Sequence, residues 1–209
     1  MINIQGKLER VVNVACSGGV DSMAVADFLM QNHKVNLLFF DHGTETSFEA
    51  RQFLEERYYP SINLAGMKLE IGSTTRLKNK SESWEEYWRN QRYEWFHSFY
   101  EPVITCHHLD DCTETWIWSS MHGEGKIIPY QNQNVIRPFR LNRKSEFTNW
   151  CRNKNVHWIE DESNQDTKYM RNFIRSEILP KVLVVNPGIH KVVRKKVVQD
   201  YEIKHENLE

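Results

Sequence analysis

A run of small apolar residues, Val11, Val12, Val14 and Ala15, leads into Ser17-Gly18-Gly19-Val20-Asp21-Ser22 and then into Met23, Val25, Ala26, Phe28, Leu29 and Met30 at helical spacing. The first run reads as a buried parallel strand and the last as a helix. Between them, two glycines let the backbone turn sharply and approach a ligand with no Cβ in the way. Backbone N–H groups, the positive end of the new helix and the hydroxyls of Ser17 and Ser22 then converge on an anion. Asp21 inside such a nest would repel bare phosphate, so its presence points to a bridging cation. A tight strand-to-helix turn is the plain alternative. Strand, glycines, hydroxyls and helix agree on one place, which favours phosphate.

Two familiar phosphate motifs are excluded. No Gly-x-x-x-x-Gly-Lys-Ser/Thr occurs, and Gly123-Glu124-Gly125-Lys126 lacks both the spacing and the hydroxyl. A dinucleotide fingerprint needs a third glycine at the helix start, which this loop does not have. Ser-Gly-Gly-x-Asp-Ser instead resembles the pyrophosphate loop of the ATP-pyrophosphatase superfamily, whose members cleave ATP between the α- and β-phosphates and activate an oxygen atom as an adenylate.

At 209 residues, 40% hydrophobic and 26% charged, the chain can bury one good core with a small appendage. It shows no internal repeat, no apolar run of membrane-spanning length and no signal-peptide pattern. Cys16, Cys106, Cys112 and Cys151 have no Cys-x-x-Cys spacing, so neither a disulfide framework nor a zinc ribbon is indicated, and a reducing cytoplasm is expected. The formal net charge is −1. Positive charge is nonetheless concentrated from Lys168 to Lys196, where eight Lys and Arg face one acid, Glu177. Such an arm suits a phosphate backbone or, equally, a solvated helix face.

Strand-like runs alternate with helical patterns, which predicts an α/β fold with a doubly wound, mostly parallel sheet. Val35 to Phe40 reads as a second strand ending at Asp41-His42-Gly43, Ser47 to Tyr58 as a helix and Met67 to Ile71 as a third strand. Ser83-x-x-Glu86 is a capping-box pattern opening a helix to about Phe99, with Trp84, Tyr87, Trp88, Gln91, Trp95 and Phe99 expected in its core face. Pro102 to Cys106 is the fourth strand, with a helix from about Asp110. A last α/β unit places a helix over Ser145 to Asn153 and an extended His157-Trp158-Ile159. After Pro180, Asn186-Pro187-Gly188 opens a short amphipathic helix with Ile189, Val192, Val193 and Val197 on one face. The expected division is a body over 1–182 and a C-terminal helical arm over 183–209.

In an open parallel sheet, ligands sit beyond the carboxyl ends of the strands. His107-His108-Leu109-Asp110-Asp111 after the fourth strand, the loop from Ser17 to Ser22 and Asp41-His42 therefore share one crevice. Asp110 and Asp111 suit Mg²⁺ together with substrate phosphates, or serve only to cap the helix. An imidazole there can donate to an α-phosphate or move a proton. A transition-metal site from Cys106, His107, His108 and Cys112 is a further reading. Arg171 and Arg175, four apart, share a helix face and either read a phosphate or carboxylate or close an internal salt-bridge lattice with the acids Glu160, Asp161 and Glu162.

Motifs along the chain occur in an order that resembles one family. Ser-Gly-Gly-Val-Asp-Ser is followed by Asp41-His42-Gly43, Glu85-x-x-x-Arg89-x-x-Arg92-Tyr93 and His108-Leu109-Asp110-Asp111-x-x-Glu114-Thr115. Arg137-Pro138-Phe139 and Asp161-Glu162-Ser163-Asn164…Arg171-Asn172-x-x-Arg175…Leu179-Pro180 complete the set. This is similar to the tRNA(Ile)-lysidine synthetases over about Val11 to Pro180, and the Asp-x-Ser-Asn…Arg-Asn block is its discriminating part.

The resemblance implies an adenine nucleotide alpha hydrolase-like fold and a cytoplasmic ATP-dependent ligase. ATP and Mg²⁺ would adenylate carbon 2 of the wobble cytidine in a tRNA(Ile) with a CAU anticodon, and the ε-amine of free lysine would displace AMP. It implies that Ser17, Gly18, Gly19, Val20, Asp21, Ser22, Asp41 and His42 hold ATP, and that Asp21, His108 and Asp111 are catalytic. Asp21, Asp110 and Asp111 would be the cation ligands. Glu85, Arg89, Asp161, Asn164, Arg171, Asn172 and Arg175 would bind lysine or the cytosine. A homodimer is compatible with the pattern. Three departures stand out: Met121 to Lys126 replaces an arginine-glycine-rich loop, Thr44-Glu45 follows the His-Gly pair where a leucine is usual, and the chain stops where many relatives continue, so a short form is expected. Another pyrophosphate-loop ligase or thiolase, or a non-catalytic nucleotide- or tRNA-binding module, remain as alternatives.

Overall fold

Valine-rich β1 (Val11–Ala15) is buried along its middle and hydrogen-bonds a parallel strand on each side, as a strand with no wet face must. The computed structural model describes residues 1–64, 67–160 and 170–206. Around β1 the sheet has the order β3-β2-β1-β4-β6-β5. Here β2 is Lys34–Asp41, β3 Leu69–Ser73, β4 Val103–Ile104, β5 Gln131–Asn132 and β6 Val135–Ile136. Only β5 runs antiparallel. The chain builds outward from β1 to β3 on one side, then returns to place β4 on the other. That reversal between β1 and β4 is the topological switch point, where open α/β sheets leave a crevice.

Helices cover the faces: α1 (Val20–Met30), α2 (Glu45–Leu64), α3 (Trp84–His97), α4 (Leu109–Met121) and α5 (Lys144–Lys154). The main core joins Val12, Val14, Met23, Val25, Leu29, Leu37 and Phe39 to Phe139, Phe147 and Cys151. Burial at this scale is the dominant stabilising term, about 1.5–3 kcal/mol for each large apolar side chain. Ser83 caps α3 by accepting from the Glu86 N–H at 3.1 Å, which is the serine half of the capping box that the sequence pattern predicts. In β3, Gly72 is required for a different reason: a Cβ there would fall inside the Trp95 ring.

Several expectations shift. The helix after the second strand begins at Glu45 and runs to Leu64, and the third strand begins at Leu69 rather than Met67. Trp84 is 58% exposed and stacks on Trp88 at 5.3 Å, outside the core in which it was expected. The span His157-Trp158-Ile159 joins no strand ladder, and the Ile159 N–H instead donates to the Gly18 carbonyl at 2.9 Å.

The C-terminal region is helical: α6 (Met170–Phe173), a π-helical turn (Ile174–Ile178), α7 (Leu179–Val185) and α8 (Ile189–Glu206). Pro180 has no N–H to give back to the preceding turn, and the ladder widens there. The last helix is longer than expected, at 18 residues. Val193 and Val197 pack on Leu109 and Cys112 of α4, while Val192, expected on the same face, is 40% exposed. A fully buried Arg140 ties this helix down: it donates to Asp200 at 2.7 Å, to the Ile128 carbonyl at 2.8 Å and to Gln5 at 3.2 Å.

Candidate active site

Three strand ends open on one edge of the sheet: the Ser17–Ser22 loop after β1, Asp41-His42 after β2 and His107-His108 after β4. Gly18 adopts φ +80°, the left-handed region that favours glycine. A Cβ there would stand 2.9 Å from the Ile159 side chain, so the segment after α5 presses directly on the loop. Buried Ser22 holds the loop from inside, donating to the Gly19 carbonyl at 2.9 Å and accepting from the Ser17 N–H at 3.2 Å. Ser17 stays exposed. Gly19 is the N-cap of α1 and supplies no side-chain cap, so the N–H groups of Val20, Asp21 and Ser22 point out of the helix end. This is an anion cradle made of backbone.

Asp21 faces the next strand. Its Oδ2 lies 3.6 Å from Nε2 of His108 and 3.8 Å from Nζ of Lys144, while its Oδ1 is buried with no hydrogen-bond partner. His108 is the N-cap of α4 and its side chain is only 1% exposed. The Asp111 N–H donates to its Nδ1 at 3.2 Å, and Asp111 Oδ2 accepts from the His108 N–H at 2.9 Å, a reciprocal capping box. With Nδ1 accepting, the ring proton sits on Nε2 and points toward Asp21. Burial opposes a charge on this ring, but Asp111, Asp21 and Asp110 outweigh burial and raise its pKa. Protonation at Nδ1 would break the capping bond and turn that edge toward Asp111 Oδ2, 3.3 Å away. Within the protein Nδ1 is committed to the cap of α4, while Nε2 faces Asp21 at 3.6 Å.

The two neighbouring aspartates diverge. Asp110 turns away from the loop and binds Arg143 in a fork at 2.9–3.1 Å, accepts from the Lys144 N–H at 2.8 Å and lies 3.3 Å from His190 of α8. Burial pushes its carboxyl up, but His190, Arg143 and the Lys144 amide hold it well below the usual range. Asp111 faces inward. Against burial, His108, Arg171, His107 and the His108 N–H hold its pKa at about 2. Among the described residues no three of His, Cys, Asp and Glu gather closely enough to hold a metal ion by themselves. The Cys106–His107–His108–Cys112 cluster is accordingly not formed. Cys112 packs with Leu109, Val193 and Val197, and burial pushes its thiol up to about 12.

Glu114, noted in the sequence only as part of a motif, is the residue on which this side of the site is built. It is 2% exposed and takes Arg175 in a two-pronged bond at 2.7 and 3.0 Å, with Arg171 at 3.5 Å. Asp111, one turn earlier, lies 3.6 Å from Arg171 and 3.5 Å from Arg175. The two arginines thus share one face, and the salt-bridge lattice is formed, with partners on α4. Arg171 remains 47% exposed. Asn172 is half-buried beside it on α6. Asp161 and Asn164 lie outside the described residues.

Glu85 and Arg89 sit on the exposed side of α3 and line an open depression with Ser83, Glu86 and Asn90. Arg92, one turn further, has its pKa lowered by burial and by the nearby charges of Arg89 and Arg171, with Tyr93 opposing. Asp41 is held in a turn, accepting from the Gly43 N–H and the Ser47 hydroxyl, each at 2.8 Å. His42 packs against Phe40 and Trp88, and burial, with Arg92 nearby, lowers its pKa to about 4. His107 is held near 3 by burial and by Arg137, Arg171 and Arg92, against the pull of Asp111.

The chain is 31% identical over 201 residues to a tRNA(Ile)-lysidine synthase of Thermotoga sp. (strain RQ2), covering 89% of this chain and 48% of that protein. It is 28% identical to one from Vibrio parahaemolyticus (93% and 48%) and 30% identical to one from Staphylococcus aureus (81% and 43%). The chain spans about half the length of these relatives. Among solved structures, the U34-tRNA thiolase NcsA of Methanococcus maripaludis superposes with a TM-score of 0.69 at 14% identity, over 94% of this chain and 74% of that one, a likeness of fold. The PP-loop domain family matches residues 2–182, and the chain belongs to that family.

Proposed function

We propose that this chain is the ATP-using core of a tRNA(Ile)-lysidine synthase. The observation that carries the reading is the continuous polar link from the loop to the C-terminal block: Asp21 to His108, His108 to Asp111, and Asp111 with Glu114 to Arg171 and Arg175. Such a link joins an ATP cradle to a second substrate site in one rigid unit.

In this reading the pyrophosphate of ATP rests on the N–H groups at the start of α1. Carbon 2 of the wobble cytidine in a CAU-anticodon tRNA becomes adenylated through its oxygen, releasing pyrophosphate. The neutral ε-amine of lysine then attacks that carbon and AMP leaves. The unpartnered, buried Oδ1 of Asp21 fits a cation bridging to phosphate, as does Asp111 Oδ1, whose arginines stay at 3.5 Å or beyond. Asp21 and Asp111 would hold Mg²⁺, which when bound offsets phosphate charge. Asp110, committed to Arg143, Lys144 and His190, positions α4 instead. His108 positions Asp21 and Asp111. The exposed guanidinium of Arg171, with Asn172 and the Asp161–Asn164 segment, would contact lysine or the cytosine, and Glu85 and Arg89 would extend that surface.

Purified protein given ATP, Mg²⁺, labelled lysine and a tRNA(Ile) transcript with a CAU anticodon is expected to attach lysine to the tRNA, and Asp21→Ala is expected to abolish it. ATP turnover without lysine in the tRNA would instead mean another nucleophile.

A further inference from the structure

The outward face of α8 has charges that nothing in the fold uses. Its inward face is fully committed: Ile189, Val193 and Val197 are buried, His190 meets Asp110, and Asp200 binds Arg140 and the Tyr130 N–H. Opposite this face stand Lys191, Arg194 and Lys195, at i, i+3 and i+4, all exposed, with exposed Lys196 at the edge of the stripe. Among the described residues none of these four side chains forms an ion pair or hydrogen bond.

Their placement works against the helix. Lys191 lies in the first turn, where the helix dipole disfavours cations and no acid offsets it, and the other three follow in the second. The acids Asp200 and Glu202 lie in the C-terminal half. Lys191 also repels Arg194 and Lys195 at one-turn spacing. A solvated face with no partner would gain from the opposite order. The chain as a whole is at −1, so this is segregation of charge and not a general excess of base.

The stripe starts one residue after His190, which touches Asp110 in the first turn of α4, the helix that also contains Asp111 and Glu114. We infer that the Lys191–Arg194–Lys195 face of α8 binds the phosphate backbone of the RNA whose nucleotide enters the crevice. This inference rests on the RNA-modifying reading given above. The apolar face of α8 is buried against α4 and cannot enter lipid, while Val184, Val185, Val192 and Ile203 stay exposed nearby, so an anionic membrane is the competing occupant that the test separates.

The test compares the full chain with its Lys191→Gln/Arg194→Gln/Lys195→Gln variant, measuring affinity for the CAU-anticodon tRNA transcript from 50 to 300 mM NaCl by anisotropy. The variant is expected to bind at least about tenfold more weakly at 150 mM, with a salt slope shallower by about 2 to 3. Its thermal midpoint should be equal or higher, because the lost charges opposed the dipole. Equal affinity and slope in the folded variant would overturn the assignment while leaving the RNA reading intact. A wild-type chain that binds no RNA would overturn both. Binding to phosphatidylserine vesicles lost in the variant, with RNA affinity unchanged, would give the face to lipid and overturn it as well.

Discussion

Nε2 of His108 stands 3.6 Å from Oδ2 of Asp21, bridging the gap between the ends of β4 and β1 where the sheet reverses its build direction. The same ring caps α4 through Nδ1. One imidazole therefore sets both the loop aspartate and the start of the helix that contains Asp111 and Glu114.

These two duties separate by substitution. Asparagine is a good N-cap but is too short to reach Asp21. His108→Ala is expected to lose about 2–4 kcal/mol, combining the cap with the vacated volume. His108→Asn should recover about 1 kcal/mol of that. Both should lose on the order of 100-fold in turnover, because Asp21 is no longer held in place. Urea unfolding with turnover checks this, and full activity in the asparagine variant would remove His108 from the site.

Arg175 and Arg171 look alike in sequence and differ in worth. Glu114 is buried and Arg175 takes both its oxygens, so Arg175→Ala strands a buried carboxylate and should cost about 2–4 kcal/mol. Arg171, half-exposed and at 3.5 Å or more, should cost at most about 1 kcal/mol, yet its loss should raise the KM for the second substrate. Denaturant midpoints with steady-state kinetics distinguish them. Equal destabilisation by the two substitutions would contradict the geometry.

Gly18→Ala faces two penalties, positive φ and the Ile159 side chain. The single substitution should destabilise by about 1–3 kcal/mol and raise the KM for ATP. Adding Ile159→Ala should relieve the crowding but not the φ strain. A double-mutant cycle is thus expected to show coupling of about 0.5 kcal/mol or more. Strict additivity would mean that Ile159 does not press on the loop.

Acid sensitivity should appear before the carboxylates titrate. His42 has a folded pKa of about 4, below its unfolded value near 6.5, so the native state binds fewer protons between those values. Stability attributable to this ring is complete above about pH 6.5 and is lost as pH falls toward 4. Allowing for solvent at the partly exposed ring, the loss is about 1–2 kcal/mol. His42→Phe keeps the contact with Phe40 and Trp88 and should flatten the slope in that window. Urea midpoints at pH 4.5 and 7 read the difference, and parallel profiles would refute it. Asp111, held near 2, is shifted in the same direction from a lower starting value, so its stabilisation is full above about pH 4 and fades below.

The strand–loop–helix at Val11–Met30 was legible because its signals are local: an apolar run, glycines and helical spacing. The Ser83 cap and the crevice at the strand ends were legible for the same reason. What escaped depends on distant partners. Buried Arg140 pairs with Asp200 and Gln5, 60 and 135 residues away, and no local pattern marks an arginine as interior. Glu114 and Arg143 became meaningful only once Arg175 and Asp110 were seen beside them. Asp110 and Asp111 are adjacent in sequence but on a helix point about 100° apart, which is why Asp111 faces Arg171 and Arg175 and Asp110 faces α5 and α8.

The central claim is that this site splits ATP between its α- and β-phosphates only when tRNA completes it, with AMP leaving when lysine attacks. Following [α-³²P]ATP with the CAU-anticodon tRNA, with and without lysine, tests it most directly. The expected result is AMP and pyrophosphate formed in step with lysine joined to tRNA, and little ATP consumed without tRNA. ADP and phosphate as products, or AMP release indifferent to tRNA, would contradict the account.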